Sequence, residues 1–325
     1  MSDPLPNTIE KGSSLWKDAW HRLQKNKLAM LGLVVIVLIF AASFIGGPIL
    51  NSLNTEPGQQ NFANRQNLAN PFAAPSSEHL LGTDQLGRDF LARILDGGQI
   101  SLIIAVLATF ISGTIGVVYG GVAGYLGGRW GNAMMRLVDG LLAMPFLIII
   151  ILFRELISAQ IKIAGQFTMT EWDWNRDLVL RFSNILPLLV AIAGFGWLTM
   201  SRIVRTQTAS LVKQEFVEAA RSLGISHRRI LFRHILPNML GPIIIYATLT
   251  IPSFIMYEAS LSFIGLGVEP PYPSWGTLIK EGANFLETKQ TMILFPSILF
   301  ALTLFAFNFL GDGLRDALDP KAAKD

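Results

Sequence analysis

Five stretches of the chain run for twenty residues or more without a charged side chain: 28–50, 99–128, 182–201, 235–257 and 290–311. At 1.5 Å per helical residue each covers roughly 30 Å, the thickness of a bilayer's hydrocarbon layer. A sixth run, 140–153, is shorter and is bounded by Asp139 and by Arg154-Glu155. By length alone it is a buried or interfacial helix. Counted as a span over 137–157, it makes the charge distribution consistent from end to end. The pattern predicts an all-α, polytopic membrane protein with six transmembrane helices, about 28–50, 100–127, 137–157, 182–202, 237–260 and 290–311. These form one unit, 28–311, between an N-terminal segment, 1–27, and a C-terminal tail, 312–325. A basic loop, 203–236, separates the fourth span from the fifth.

Shorter patterns lie between these runs. In 14–26, SLWKDAWHRLQKN, helical spacing puts Leu15, Trp16, Ala19, Trp20 and Leu23 on one face. This predicts a helix lying in the headgroup region with Trp anchors, or alternatively one that contacts a partner. The second run carries Gly113, Gly116, Gly120, Gly124 and Gly128, four of them at intervals of four. Such a face lets another helix approach closely, for packing or for sliding. In 82–93, GTDQLGRDFLAR, Asp84–Arg88 and Asp89–Arg93 have the acid-first i,i+4 order that supports a helix, with Thr83 or Asp84 as its N-cap. A short helix leading into the second span accounts for the segment without any catalytic role.

Composition strengthens the membrane reading and removes several chemistries. Hydrophobic residues make up 51% and charged residues 15%, with mean hydropathy +0.45, against about 25% charged in soluble domains. The first 27 residues are too polar and too basic for a simple cleaved signal, so the first run reads as a retained span. There is no cysteine, which excludes disulfides, thiolate metal sites and Cys nucleophiles. The four histidines, His21, His79, His227 and His234, are scattered and form no HExxH, so no metal site is expected. No GxxxxGK[ST] loop occurs, so any ATP is bound by another chain. With six spans and the N-terminus inside, 17 of the 26 Lys and Arg residues fall on the cytoplasmic side, as the positive-inside rule favours. Both termini and the basic loop are then cytoplasmic. Trp172 and Trp174 fall at an outer interface.

Residues 215–238, EFVEAARSLGISHRRILFRHILPN, form the most distinctive part of the basic loop. Glu215 to Leu223 favours helix, Gly224 suits the position after a helix end, and Ser226 can cap a second helix running to about Leu236. Pro237 then turns the chain into the next span. Ala219 and Ala220 leave a flat face, and Glu218, Arg221, Arg228 and Arg229 could orient a partner. An ordinary loop helix with a Glu218–Arg221 i,i+3 pair explains the same residues. Glu258 closes the fifth run, about 31 Å along a helix from Pro237, which predicts a place at the outer interface. Glu258 and Ser262 are candidates for a gate or pathway, set against a structural role. Asp312, Asp316 and Asp319 surround Arg315 without matching a calcium loop, and read as a solvated helix end stopped by Pro320.

The loop resembles the EAA loop of ABC importer permeases: EAA, three residues, Gly, nine residues, then I-x-L-P. Glu218-Ala219-Ala220, Gly224 and Leu236-Pro237 match that spacing, and His234 departs from the Ile common in the wider family. GTDQLGRD, SLSFIGLG with PPYPSWG, and FNFLGDGLRDALDP are similar to the dipeptide/oligopeptide permease family, in particular its oligopeptide C-type subunit. The resemblance implies a non-catalytic subunit of a bacterial inner-membrane importer that forms half of a peptide path. It implies a homologous second permease subunit, two ABC ATPase subunits that bind ATP and Mg, an extracytoplasmic peptide-binding protein and surrounding lipid as partners, and no nucleic acid. Glu218, Ala219, Ala220, Arg221 and Gly224 would lie on the ATPase-coupling helix.

Overall fold

A computed structural model describes residues 15–55, 61–171 and 176–318, with side-chain packing over 17–55, 61–166 and 179–318. The expectations for Trp172, Trp174, Asp319 and Pro320, and for the side chains of Leu15 and Trp16, lie outside these residues. The described chain is helical, with one isolated bridge, Thr83 to Asp89, and no strand. Five helical segments are long and apolar enough to cross a membrane: Lys27–Asn54, Phe90–Leu126, Val179–Leu211, His227–Phe263 and Thr291–Leu318.

The chain opens with α1 (Leu15–Lys25) and α2 (Lys27–Ala41), whose N-cap Asn26 accepts a hydrogen bond from the Ala29 N–H at 3.1 Å. A π turn, Ala42–Gly46, carries α2 into α3 (Gly47–Asn54). Then come α4 (Phe90–Leu126), α5 (Gly128–Leu142), α6 (Phe146–Glu171) and α7 (Arg176–Leu211). After α8 (Glu215–Ser222), a single turn α9 (His227–Arg229), a π turn and a 3-10 turn lead into α10 (Leu240–Phe263). The last two are α11 (Trp275–Ala283) and α12 (Thr291–Leu318).

The core is built around α4, which packs on α7 along its length and on α10. A Cβ at Gly116 would lie 2.7 Å from Met200 Cβ, and one at Gly124 would lie 2.6 Å from the Arg205 carbonyl oxygen. At Gly120 it would collide with the Ser201 carbonyl oxygen. Small residues here let two backbones approach, as lipid-embedded helices require when no hydrophobic force drives them together. Gly128 takes no part: it opens α5 at φ +50, with nothing within 4 Å of a Cβ built there.

The expected span 137–157 is not one helix. α5 and α6 meet at 89° across Ala143–Met144–Pro145. Pro145 has no N–H to continue α5 and disfavours helix in the residue before it. Its carbonyl instead accepts the Ile148 and Ile149 amides at 3.0 and 3.3 Å, starting α6 afresh. The helices also overrun the apolar runs: α7 reaches into the expected loop, and α12 continues through residues placed in the tail.

The segment 82–93 departs from its expectation as well. Asp84 and Arg88 do pair, at 2.7 Å, but in a tight turn with Gly82 and Gly87 at positive φ. The helix starts at Phe90 with Asp89 as its N-cap, 2.7 Å from the Ala92 N–H. Asp89 pairs with His79 at 2.9 Å, not with Arg93. The N-terminal helix is partly covered by protein: Ala19 and Leu23 pack against Ala29 and the end of α12, while Trp20 stays exposed.

Candidate functional site

Two constellations meet α4 near Ser101 and near Tyr125, about 36 Å apart along its axis. The first is the elbow of α8 and α9. Here α8 ends at Leu223, and Gly224 adopts φ +73, a conformation that glycine reaches without strain. The Ile225 N–H donates to the Ala220 carbonyl at 3.1 Å, and the Gly224 N–H to the Arg221 carbonyl at 2.9 Å. This pair of bonds is the Schellman closure of a helix end. Ile225 and Ala220 then pack together, with Val217, Ile230, Leu231 and Ile235, onto Met200 and Val204 of α7 and onto α4. The elbow is therefore a rigid block seated on the ends of two core helices.

The alanine pair divides between two faces. Ala220 is buried and Ala219 exposed, so the pair does not form one flat outer surface. The outward face of α8 is Phe216, Ala219 and Leu223, spaced i, i+3 and i+7; Leu223 is 80% exposed and Phe216 41%. An apolar stripe of this kind, rimmed by the exposed Glu218 and Arg221, has the form of a helix that docks in a groove. Phe216 and Leu223 were missed in the sequence, although their spacing was there to read. Glu218 and Arg221 form no ion pair. Arg221 instead lies 5.5 Å above the Tyr125 ring, and the Tyr125 hydroxyl is 2.7 Å from His227 Nδ1. These contacts tie α8 and α9 to the end of α4.

The second constellation is centred on Glu258. It is enclosed by protein: Glu258 is 0% exposed and Ser262 1%. The Ser101 hydroxyl donates to Glu258 Oε2 at 2.8 Å, and the Ser262 hydroxyl to Oε1 at 2.7 Å. The Trp275 N–H donates to Ser101 Oγ at 3.2 Å, and the Ser274 hydroxyl to Ser262 Oγ at 3.3 Å. Glu258 thereby joins α4, α10 and the capping box of α11. Glu258→Leu is expected to destabilise the chain, because two buried hydroxyls lose their acceptor at about 1–3 kcal/mol each. Glu258→Gln, which keeps an acceptor, should lie nearer wild type, and thermal melts in detergent would rank the two.

Around the same end, Asp84 holds Arg88 at 2.7 Å and Arg93 at 3.3 Å, and Arg93 reaches Glu281 on α11 at 3.0 Å. This network fastens the loop before α4 to α11. Among the described residues no three His, Asp or Glu side chains converge as metal ligands would.

The comparisons agree with this architecture. Residues 116–324 match the model described as binding-protein-dependent transport system inner membrane component. Residues 14–75 match the N-terminal TM domain of oligopeptide transport permease C. The chain is 42% identical to the oligopeptide transport system permease protein OppC of Escherichia coli over 98% of its length and 97% of the relative's. It is 40% identical to the OppC of Haemophilus influenzae, covering 99% and 93%. Against the dipeptide transport system permease protein DppC of Bacillus subtilis it is 39% identical, covering 95% and 86%. A component of such a system works with a binding protein and an ATPase. With its multi-pass helical fold, its elbow and these full-length matches, the chain belongs to the inner-membrane components of binding-protein-dependent transport systems, as a non-catalytic permease of the OppC-like branch.

Proposed function

We propose that this chain forms half of the transmembrane path of an ATP-driven peptide importer, with oligopeptides as its main cargo. A homologous permease supplies the other half, two ATPase subunits bind ATP and Mg, and an extracytoplasmic binding protein delivers the peptide. The N-terminal match to the oligopeptide branch favours longer peptides over dipeptides. The distribution of basic residues favours cytoplasmic termini and a cytoplasmic elbow. Within this reading α8 is the coupling helix. Its stripe of Phe216, Ala219 and Leu223 sits in a cleft of one ATPase, with Glu218 and Arg221 at the rim. Gly224 and Ala220 keep the elbow rigid, so that movement of the ATPase reaches α4 and α7 undamped. Glu258 and Ser262 hold α11 in place next to the opposite gate and do not touch the peptide.

The observation that carries the proposal is the exposed apolar stripe on a helix whose other face is locked into the core. The test compares wild type with Ala219→Trp in the complete transporter in lipid vesicles. Wild type should take up peptide, with ATP hydrolysis stimulated by loaded binding protein. Ala219→Trp should insert normally, because the position is exposed, yet lose uptake at least about tenfold. Normal uptake by the variant would remove α8 from the coupling role, and a wild type that moves no peptide would overturn the function.

A further inference from the structure

A cavity of about 470 Å³ opens between α4, α7 and α10, midway along these helices. This volume lies within the roughly 300–1,000 Å³ of small-molecule sites. Its polar lining is Thr109 and Ser112 from α4, Thr199 from α7, and Tyr246, Thr250, Ser253 and Tyr257 from α10; no charged side chain lines it. Thr109 is distinctive. It is 6% exposed, and its hydroxyl has no hydrogen-bond partner in the fold. Several helical threonines turn their hydroxyls onto the preceding turn, as Thr114 does to Phe110 at 2.8 Å and Thr250 to Tyr246 at 2.6 Å. The Thr109 hydroxyl is shut off from the cavity space, so it is an unpaired polar group within the wall and not a contact for what enters.

The break between α5 and α6 points to the same place. Leu142 and Phe146, on either side of it, line the cavity, and Ala143, Met144 and Pro145 are exposed. Non-helical backbone at membrane depth is tolerated only where it is buried in protein or borders a water-filled space. Transporters commonly place their cargo beside such interrupted helices. A concavity with several hydroxyl-bearing side chains in its wall, next to an interrupted helix, suits a passage better than a lipid-facing surface.

We propose that this cavity is the part of the transport path that this chain contributes, and that it takes a peptide through its backbone amides and not through its side-chain charges. The inference rests on the peptide-permease reading. Every peptide residue offers the same N–H and C=O, and hydroxyls both donate and accept, so they satisfy either group. With no fixed charge in the wall, acidic and basic side chains pass on equal terms.

The absence of cysteine from the chain makes this testable. Ser253→Cys and, independently, Thr250→Cys replace a hydroxyl by a thiol of similar size. Each is assembled with its partners in vesicles and treated with methanethiosulfonates carrying either a trimethylammonium or a sulfonate group. The thiolate attacks the reagent's sulfenyl sulfur, forming a mixed disulfide and releasing methanesulfinate. Wild type gives the background from the partner subunits. Leu38→Cys, on a 62% exposed position of α2, gives the hydrocarbon control. Both cavity thiols should react and the control should not. The attached sulfonate should shift the uptake ratio of a Lys-bearing over a Glu-bearing tripeptide upward by about tenfold, and the ammonium should shift it downward, because like charges repel strongly in a low-dielectric passage. Unreactive thiols, or labels that slow both peptides equally, would overturn the inference. Wild type moving neither peptide would instead overturn the peptide-permease reading.

Discussion

Gly120→Leu is expected to leave little folded chain to extract from the membrane. At this position α4 and α7 run in the same direction with their backbones in contact, and any Cβ meets the Ser201 carbonyl group, with its carbon and Cα both 3.0 Å away. Overpacking a core usually costs about 1–3 kcal/mol when neighbouring side chains can shift. Here the obstacle is backbone, so α7 itself must move away, and the close approaches at Gly116 and Gly124 are lost with it. Total stabilities of about 5–15 kcal/mol leave little margin for that. Gly113 is the control: nothing lies within 4 Å of a Cβ built there, so Gly113→Leu should match wild type. The monodisperse fraction on size-exclusion chromatography after detergent extraction reads both. A normal profile for Gly120→Leu would mean that the two helices do not cross as closely as described.

Asp84→Asn should have the next largest effect, and a local one. Asp84 is fully buried and serves two guanidinium groups that are themselves almost fully buried, Arg88 and Arg93. It also accepts the Leu86 and Arg88 amides at 2.8 and 3.0 Å, which the amide oxygen of Asn can still do. The substitution thus removes the charge and leaves the turn. The two cations then keep Glu281 as their one close ion-pair partner, 3.0 Å from Arg93 and 3.6 Å from Arg88, with Asp96 acting on Arg93 from further away. Breaking a buried ion pair from one side costs about 3–5 kcal/mol. Because the loss falls on the loop that precedes α4, it should appear as proteolytic nicking within residues 61–89 while the spans stay intact. Cleavage at the wild-type rate would show that the network contributes nothing to holding the loop.

The spans were legible because hydrocarbon demands long uncharged runs, and the chain supplies them. Their ends were not, because α7 and α12 continue as helices into polar surroundings where the apolar pattern stops. The interruption at Pro145 was hidden in a short run whose proline was overridden by the charge count on either side. The burial of Glu258 was not legible because position along a helix gives depth and not neighbours. Its partners, Ser101 and Ser262, come from two different helices, and the chain to Ser274 comes from a third element. At Asp84 the i,i+4 spacing found the right pair for the wrong reason, since Gly82 and Gly87 make a turn where a helix was expected. In the elbow the alanine pair drew attention from Phe216 and Leu223, whose spacing marks the outward face more directly.

The seating of α2 has a consequence for how the chain is made. Gly32 lets α2 approach α12 so closely that a Cβ would lie 2.6 Å from the Ala306 carbonyl oxygen, and Ala29 abuts Gly313. The helix that leaves the ribosome early therefore finds its permanent neighbour only about 270 residues later, roughly 15–60 s at ordinary synthesis rates. Throughout that interval its glycine-bearing face must rest against lipid or the insertion machinery. A message truncated anywhere before α12 would yield spans that enter the bilayer yet leave α1 and α2 undocked, the kind of open surface by which membrane quality-control proteases select their substrates.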